Sequence, residues 1–479
     1  MPRLASLTSQ ALTGLGITRR LKEWALLYTI DNPNAYDTSA GDRFGVSVAI
    51  DGNYAVVGAD REDDSGTDKD SGKAYIFNVT TGALVHTLDN PNAYGTSNKD
   101  YFGSAVAISG NYAIVSATDE DDAGGAASGK AYIFNVTTGA LLHTLDNPNP
   151  VDTSVGDQFG HSLSISGNYA IVSAYNEDDA GGSGSGKAYI YNVTTGALVH
   201  TLDNPNAYDT SASDFFGFSV AISGNYAIVG AYGEDDAGGF GSGKAYIFNV
   251  RTGALLHTLD NPNAYGTSAG DQFGEAVAIS GNYAIVSAYR EDDAGGISSG
   301  KAYIFDVTTG DLVRTLDNPN AYGTSVGDQF GEAVAISGNY AIFGVQREDD
   351  AGGSTSGKAY IFNVATGALV HTLDNPNAYD TSVSDSFGSS VGISGNYAIV
   401  GADPEDDAGG ASSGKAYIFN VRTGALLHTL DNPNAYGTSA SDYFGISVAI
   451  NGNYAIVGAY QEDDSGGTSS GKAYIYKLT

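Results

Sequence analysis

The chain has 479 residues, 42% of them hydrophobic, no cysteine, and a formal net charge of -33. The missing cysteines exclude disulfides and thiolate metal sites. The acidity excludes nucleic-acid binding through the body, favours solubility and attracts cations, and no apolar run is long enough for membrane insertion as a helix.

In chain order, residues 1–24 read as a basic arm. Its first 22 residues hold Arg3, Arg19, Arg20 and Lys22 and no acid. No signal peptide is recognised, because Ser6, Thr8, Ser9, Gln10 and Thr13 interrupt the apolar residues. The composition also fits a transit peptide or an unstructured tail. Leu4, Leu7, Ala11, Leu12, Leu15 and Ile17 approximate one helical stripe, which Gly14 and Gly16 weaken. As the one unrepeated and wholly basic segment, the arm is expected to anchor the chain. Arg3, Arg19, Arg20 and Lys22 would meet an acidic partner site or the acidic loops of a neighbouring subunit.

Residues 25–479 are eight near-copies of one unit. Gly-Lys-Ala-Tyr-Ile begins at Gly72, Gly129, Gly186, Gly243, Gly300, Gly357, Gly414 and Gly471, always 57 residues apart. Such a period marks stacked units that cannot bury their hydrophobic faces alone. Residues 25–30 predict a strand like the one at 83–88. After the latter comes a long loop opened by Asp89-Asn90-Pro91, since Asn-Pro initiates turns. Residues 102–108 alternate as a strand, with Phe102, Val106 and Ile108 on one face and Gly103, Ala105 and Ala107 on the other. Ser109-Gly110-Asn111 predicts a tight hairpin, and 112–117 a third strand. A second long loop opens with Glu120-Asp121-Asp122. Residues 130–136 predict a fourth strand, turned into the next unit by Thr137-Thr138-Gly139.

Four strands per unit and eight units predict an all-β fold, an eight-bladed β-propeller of four-stranded antiparallel blades. The chain stops after Tyr476 without an outer strand for its last blade. Residues 25–30 are expected to supply it and so close the ring and remove both exposed edges.

Each copy carries Phe-Gly followed by a Gly-Ala-like strand end, as in Phe44-Gly45 with Gly58-Ala59 and Phe216-Gly217 with Gly230-Ala231. Across residues 25–479 this resembles FG-GAP repeats. The resemblance implies a propeller of the kind found in integrin α chains and bacterial surface proteins, serving adhesion and ligand binding. The Asp-x-Asp-x-Asp-Gly calcium loop of the integrin type is absent, and Ser-Gly-Asn stands in its place. Calcium at that position is therefore not implied.

Alternating strand direction puts the Ser-Gly-Asn and Thr-Thr-Gly turns on one face. The Glu-Asp-Asp and Asp-Asn-Pro-Asn loops fall on the other, with five acids per unit, so a strongly two-faced body is expected. The Glu-Asp-Asp loops read three ways. They are solvated capping turns, hard-cation sites, or partners of lysines across blades, worth little if exposed. The candidate calcium ligands are Asp63 and Asp64, Asp121 and Asp122, Asp178 and Asp179, Asp235 and Asp236, Asp292 and Asp293, Asp349 and Asp350, Asp406 and Asp407, and Asp463 and Asp464. His86, His143, His200, His257, His371 and His428 share one outer-strand position and read as surface packing, while His161 stands alone. Tyr36, Tyr94, Tyr208, Tyr265, Tyr322, Tyr379 and Tyr436 sit on the Asp-Asn-Pro-Asn loop, where they pack the loop or stack on sugars. Asn78, Asn135 and Asn192 lie in glycosylation sequons.

No catalytic residue, cofactor-binding motif or paired-carboxylate arrangement rises above the repeat background, so the expectation is a binding or structural module and not an enzyme. Differences between copies gather after Gly-Ala (Asp60-Arg61, Tyr175-Asn176, Asp403-Pro404), after Ala-Gly-Gly, and after Phe-Gly (Val46, His161, Glu275, Ile446). Drift at exposed sites and diversification of a binding face both produce that pattern. A surface module without a recognised export signal predicts a virion structural or receptor-binding protein, at the virion surface or extracellular. It would be held to other virion proteins through its arm and face a host-surface protein or glycan. The alternative is a bacterial surface adhesin or scaffold with cation-binding loops.

Overall fold

The computed structural model describes residues 23–479 except 34–39, 64–69, 92–98, 122–125, 149–155, 179–181, 206–211, 236–238, 263–268, 293–295, 320–325, 350–353, 377–383, 407–410, 434–439 and 464–466. Among the described residues the chain forms 32 strands, β1–β32 in chain order, and they assemble into eight antiparallel four-stranded sheets. Blade 1 is typical. It contains β2 (Val48–Asp51), β3 (Tyr54–Ala59), β4 (Lys73–Asn78) and β5 (Leu84–Asp89), in that spatial order. The first strand of every blade touches the first strand of the next, from blade 1 round to blade 8 and back to blade 1. These strands therefore line a central channel, and the ring is closed.

Eight apolar clusters hold it together, each between two blades. In the first, Val56, Ala74 and Ile76 of blade 1 meet Phe102, Val115, Tyr132 and Phe134 of blade 2. Strand alternation produces this arrangement: β3 and β4 are buried on both faces, so their sequences run nearly unbroken in apolar residues.

Phe-Gly and Gly-Ala interlock across the blade boundary. Phe102 of blade 2 donates its amide to Ser71 O of blade 1 at 3.0 Å. Gly103 follows at φ +98, and a Cβ there would lie 2.3 Å from Lys73 O. A Cβ on Gly58 would lie 2.0 Å from Gly103 O. On the opposite face a second set of bonds circles the channel. Asp51 accepts the amide of Gly110, Ser109 that of Gly167, Ser166 that of Gly224, and so on to Ser394 and Gly452. The Asn451 side chain donates to Asp51 at 3.1 Å and completes the circle.

The closing strand lies where the sequence places it. β1 (Trp24–Asp31) pairs antiparallel with β32 (Lys472–Leu478), from Trp24 opposite Leu478 to Asp31 opposite Lys472. The outer strands of blades 1–4 and 6 press a histidine under the glycine turn of the next blade, and blade 5 presents Arg314 there. His86 Nε2, for instance, lies 2.9 Å from Thr137 O, and its ring fills the space beside Gly139. The shared histidine position is thus packing, as expected. At the seam Tyr28 takes this role, with its ring against Gly82 and its hydroxyl donating to Thr80 O at 2.8 Å.

Trp24, the one tryptophan of the chain, is 2% exposed and meets Tyr397 edge-on at 5.4 Å. Trp24→Ala is expected to cost about 3–5 kcal/mol. Deleting residues 23–31 should expose the edge of β32, lower the melting temperature and drive association. Calorimetry and size-exclusion chromatography check this; unchanged melting by a monomeric deletion variant would refute closure by β1.

Candidate functional site

The Glu-Asp-Asp loops split into three separate roles. The glutamates (Glu62, Glu120, Glu177, Glu234, Glu291, Glu348, Glu405 and Glu462) are all fully buried. Each accepts the hydroxyl of the tyrosine of Lys-Ala-Tyr in its own blade. Tyr132 donates to Glu120 at 2.6 Å and Tyr189 to Glu177 at 2.6 Å. The strand lysine joins them in most blades, as in Lys415 to Glu405 at 2.8 Å and Lys130 to Glu120 at 3.4 Å. It also bridges the aspartate opposite it on the outer strand, as Lys73 does Asp89 at 2.7 Å. This corrects the reading of exposed lysines pairing across blades, because these pairs lie within a blade and the lysines are largely buried.

It also qualifies the expectation of a loop face carrying five acids per unit. The aspartates two residues before Phe-Gly (Asp42, Asp100, Asp157 and their equivalents) are 1–3% exposed, and each accepts the side-chain amide of the Asp-Asn-Pro asparagine, as in Asn90 to Asp100 at 2.9 Å. The loop face is acidic in sequence, but two of its five acids per unit are interior groups.

The first aspartate of each pair organises its own loop. Asp63, Asp121, Asp178, Asp235, Asp292, Asp349, Asp406 and Asp463 each accept a backbone amide six or seven residues on, at 2.7–2.9 Å. The second aspartates (Asp64, Asp122, Asp179, Asp236, Asp293, Asp350, Asp407 and Asp464) lie outside the described residues, as do the loop tyrosines and Arg3, Arg19, Arg20 and Lys22. Among the described residues no group of three acidic or histidine side chains is placed to hold a metal ion.

The differences between copies converge in space. The residue before Phe-Gly and the residue after it close a turn at the rim of the channel on the loop face. His161 N bonds Gln158 O at 3.1 Å, and the other seven copies repeat this. The residue before Phe-Gly is left-handed in all eight copies, with φ between +52° and +61°, and none is glycine: Arg43, Tyr101, Gln158, Phe215, Gln272, Gln329, Ser386 and Tyr443. A bulky side chain held at positive φ is strained backbone, a feature of binding sites. Around it stand the residues that follow the Gly-Ala strand end.

The rim is chemically uneven. At the seam Arg43 pairs with Asp60 at 3.4 Å and lies 4.9 Å over the Tyr460 ring, which stacks on Tyr443. In blade 5, burial pushes Glu275 up to about 7, and the Tyr289 hydroxyl is its hydrogen-bond partner. Arg43 Nε, Asp60 Oδ1, Gln272 Oε1, Gln329 Oε1 and Glu332 Oε2 are buried without a hydrogen-bond partner among the described residues. Buried polar atoms normally find partners, and these five lie on one rim.

The family model of the FG-GAP repeat matches eight times, over residues 34–77, 93–134, 149–191, 206–248, 263–305, 321–362, 377–419 and 434–476. The chain belongs to the FG-GAP repeat family. Its members of this propeller type are binding or structural surface modules. No curated protein matches the sequence. Among solved structures it is similar to the computationally designed Ika8 protein (TM-score 0.54, 14% identity, 94% of this chain and 100% of that one). BamB from Moraxella catarrhalis is also similar (TM-score 0.51, 13% identity, 95% and 100%). At these identities the likeness concerns the fold alone.

Burial raises the blade glutamates from 4.5 to about 7 (Glu120, Glu234, Glu291, Glu405, Glu462) or about 8 (Glu177, Glu348). An acid that ionises near 4.5 when unfolded and only near 7–8 when folded costs stability as pH rises between those values. Melting temperature should therefore fall from pH 6 to pH 8.5. Glu177 keeps only the Tyr189 bond, whereas Glu405 also holds Lys415 at 2.8 Å; each leaves one carboxylate oxygen without a partner among the described residues. At pH 8.5, Glu177→Gln should match or exceed the parent, and Glu405→Gln should fall below it by about 1–3 kcal/mol. Thermal scans across pH decide the order.

Proposed function

We propose that the chain is a non-enzymatic recognition module whose binding surface is the loop-face rim of the channel. The observation that carries this is a combination of constant backbone and large, varied side chains. One strained backbone turn is kept in eight copies, while its side chain changes from arginine to tyrosine, glutamine, phenylalanine and serine. A scaffold that holds backbone constant and varies the presented side chain is how rigid folds carry binding function.

The test is binding of the labelled protein to arrayed cell envelopes and envelope extracts. Double substitution Arg43→Ala with Tyr460→Ala, or Tyr175→Ala with Tyr232→Ala, should weaken binding about tenfold or more, as loss of buried arginine and aromatic contacts does. Thr80→Ala on the turn face should leave it unchanged. Equal binding by all variants would overturn the rim as the binding surface.

The module's placement is read from the sequence: a virion-surface protein anchored by residues 1–22, with the rim facing outward. β1 supports this polarity. Trp24 lies at the turn-face end of the outer strand and Asp31 at the loop-face end, so the chain enters the propeller on the side away from the rim. A chain lacking residues 1–22 is expected to fold and melt normally yet fail to join its particle. Full occupancy by the truncated chain would refute the anchor. A bacterial surface scaffold is the alternative placement, and gene neighbours separate the two.

A further inference from the structure

The eightfold pattern breaks most strongly on the rim of blades 3 and 4. His161 and Tyr175 of blade 3 meet Phe215, Phe218 and Tyr232 of blade 4 in one half-buried aromatic cluster. Ring centroids lie 4.3 Å apart for His161–Tyr175, 5.1 Å for His161–Phe218, 5.4 Å for Tyr175–Phe218, 4.7 Å for Phe218–Tyr232 and 5.2 Å for the stacked Phe215–Tyr232 pair. Five rings converge from variable positions of two copies. The corresponding positions of blade 7 hold Ser386, Ser389 and Asp403.

The cluster continues into a polar strip on blades 5 and 6. Tyr232 lies within the field of Glu275, and Glu275 within that of Glu332. Here Gln272 Oε1, Gln329 Oε1 and Glu332 Oε2 have no partner among the described residues, and Gln329 is only 9% exposed. Arg290, exposed and 5.2 Å over the Tyr289 ring, supplies donors near Glu275.

Charge narrows the ligand. The carboxylates and the -33 of the chain disfavour an anion. A cation finds little fixed charge in the strip, where burial opposes ionisation of Glu275 and Arg290 lies beside it, and burial lowers the His161 pKa and so disfavours a positive charge in the aromatic cluster. What remains is a neutral ligand with an apolar face for the rings and hydroxyls for the strip. Aromatic faces carry partial negative charge and attract the polarised C–H groups of such a ligand.

We propose that blades 3–6 of the rim bind a neutral oligosaccharide, with one pyranose ring over the Phe218–Tyr175–Tyr232 cluster and the following sugars on the Gln272–Gln329–Glu332 strip. This rests on the rim being the binding surface and names its ligand class. On binding, Gln272, Gln329 and Glu332 turn outward, so that oxygens buried and unpartnered in the free protein accept sugar hydroxyls, and a second and third sugar extend the contact from blade 4 toward blade 6.

Saturation-transfer NMR and calorimetry with the full chain test it, using maltotriose, cellotriose, mannotriose and chitotriose together with their methyl monosaccharides. At least one neutral trisaccharide should bind saturably and more tightly than its monosaccharide. Phe218→Leu, which keeps apolar volume and removes the ring face, should weaken it about tenfold, the scale of one lost aromatic contact. Gln329→Leu should weaken the trisaccharide and leave the monosaccharide unchanged. Melting curves confirm that both variants fold. Absence of saturable binding by every neutral trisaccharide would overturn the proposal. So would undiminished binding by Phe218→Leu, or preferential binding of choline or of an oligogalacturonate. If rim substitutions abolish envelope binding while no saccharide binds, the rim stands as the binding surface and the ligand class alone fails.

Discussion

The propeller depends on how closely one blade can approach the next. Gly103 O of blade 2 occupies the place where a Cβ on Gly58 would be, and the same contact recurs at Gly230 with Gly274 and at Gly344 with Gly388. The Phe-Gly glycine is kept in all eight copies, whereas its partner is glycine in five and serine in three (Ser116, Ser173 and Ser287). Where the partner is Gly58, Gly401 or Gly458, a serine at the start of the inner strand crosses the boundary, as Ser47 does to Gly103 O at 2.7 Å, whereas blade 6 has Ala333 at that position. Where it is serine, the hydroxyl turns back into its own blade, as Ser173 does to Ser162 O at 3.1 Å. Sequence variation is tolerated here because the backbone geometry is met either way.

The buried glutamates belong to the same logic. A loop that leaves the end of β3 and returns at β4 must cross the edge of a core made of tyrosine and phenylalanine. The tyrosine hydroxyl at that edge needs an acceptor, and the loop supplies a carboxylate. Ser71 and its equivalents add a second tie, from hydroxyl to glutamate carbonyl at 3.1 Å. Glutamate, tyrosine and serine thus pin both ends of each loop. This leaves the rim side chains standing on backbone tied at both ends.

Strand number, blade order and closure were legible in the sequence because hydrophobic alternation and glycine-bearing turns recur in register eight times. The interior acids were not. Glu-Asp-Asp reads as a surface charge run, and composition gives no sign that the first acid turns inward while the second keeps the loop end. A signal existed. Glu120 and Tyr132 stay 12 residues apart in seven copies, while the residue before the glutamate changes from Arg61 to Asp119, Asn176, Gly233 and Pro404. The rim was legible only in fragments. Variation after Gly-Ala and after Phe-Gly marks it, but His161 reads as solitary, since Tyr175 comes from a different repeat position and Phe218 from a different copy.

Closure by β1 has a consequence for how the molecule forms during synthesis. The ring cannot be completed until residue 478 has emerged, and its two closing strands are then joined through more than 400 intervening residues. Closing so long a loop adds little entropy beyond closing a short one, because the cost grows only with the logarithm of length. Selectivity is the harder matter, since every blade carries a Lys-Ala-Tyr-Ile strand that β1 can template against while the chain is still growing. Trp24 and Tyr28 mark β1 off from the other outer strands, which carry neither residue: Trp24 meets Tyr397 of blade 7, and Tyr28 the Gly82 turn of blade 1. Both partners recur in other copies, as Tyr54 and Gly139 do, so the choice of β32 rests on every other blade carrying an outer strand of its own. The same pairing made between two chains satisfies every bond of the closed monomer, so an exchanged-strand dimer is the natural by-product at high concentration.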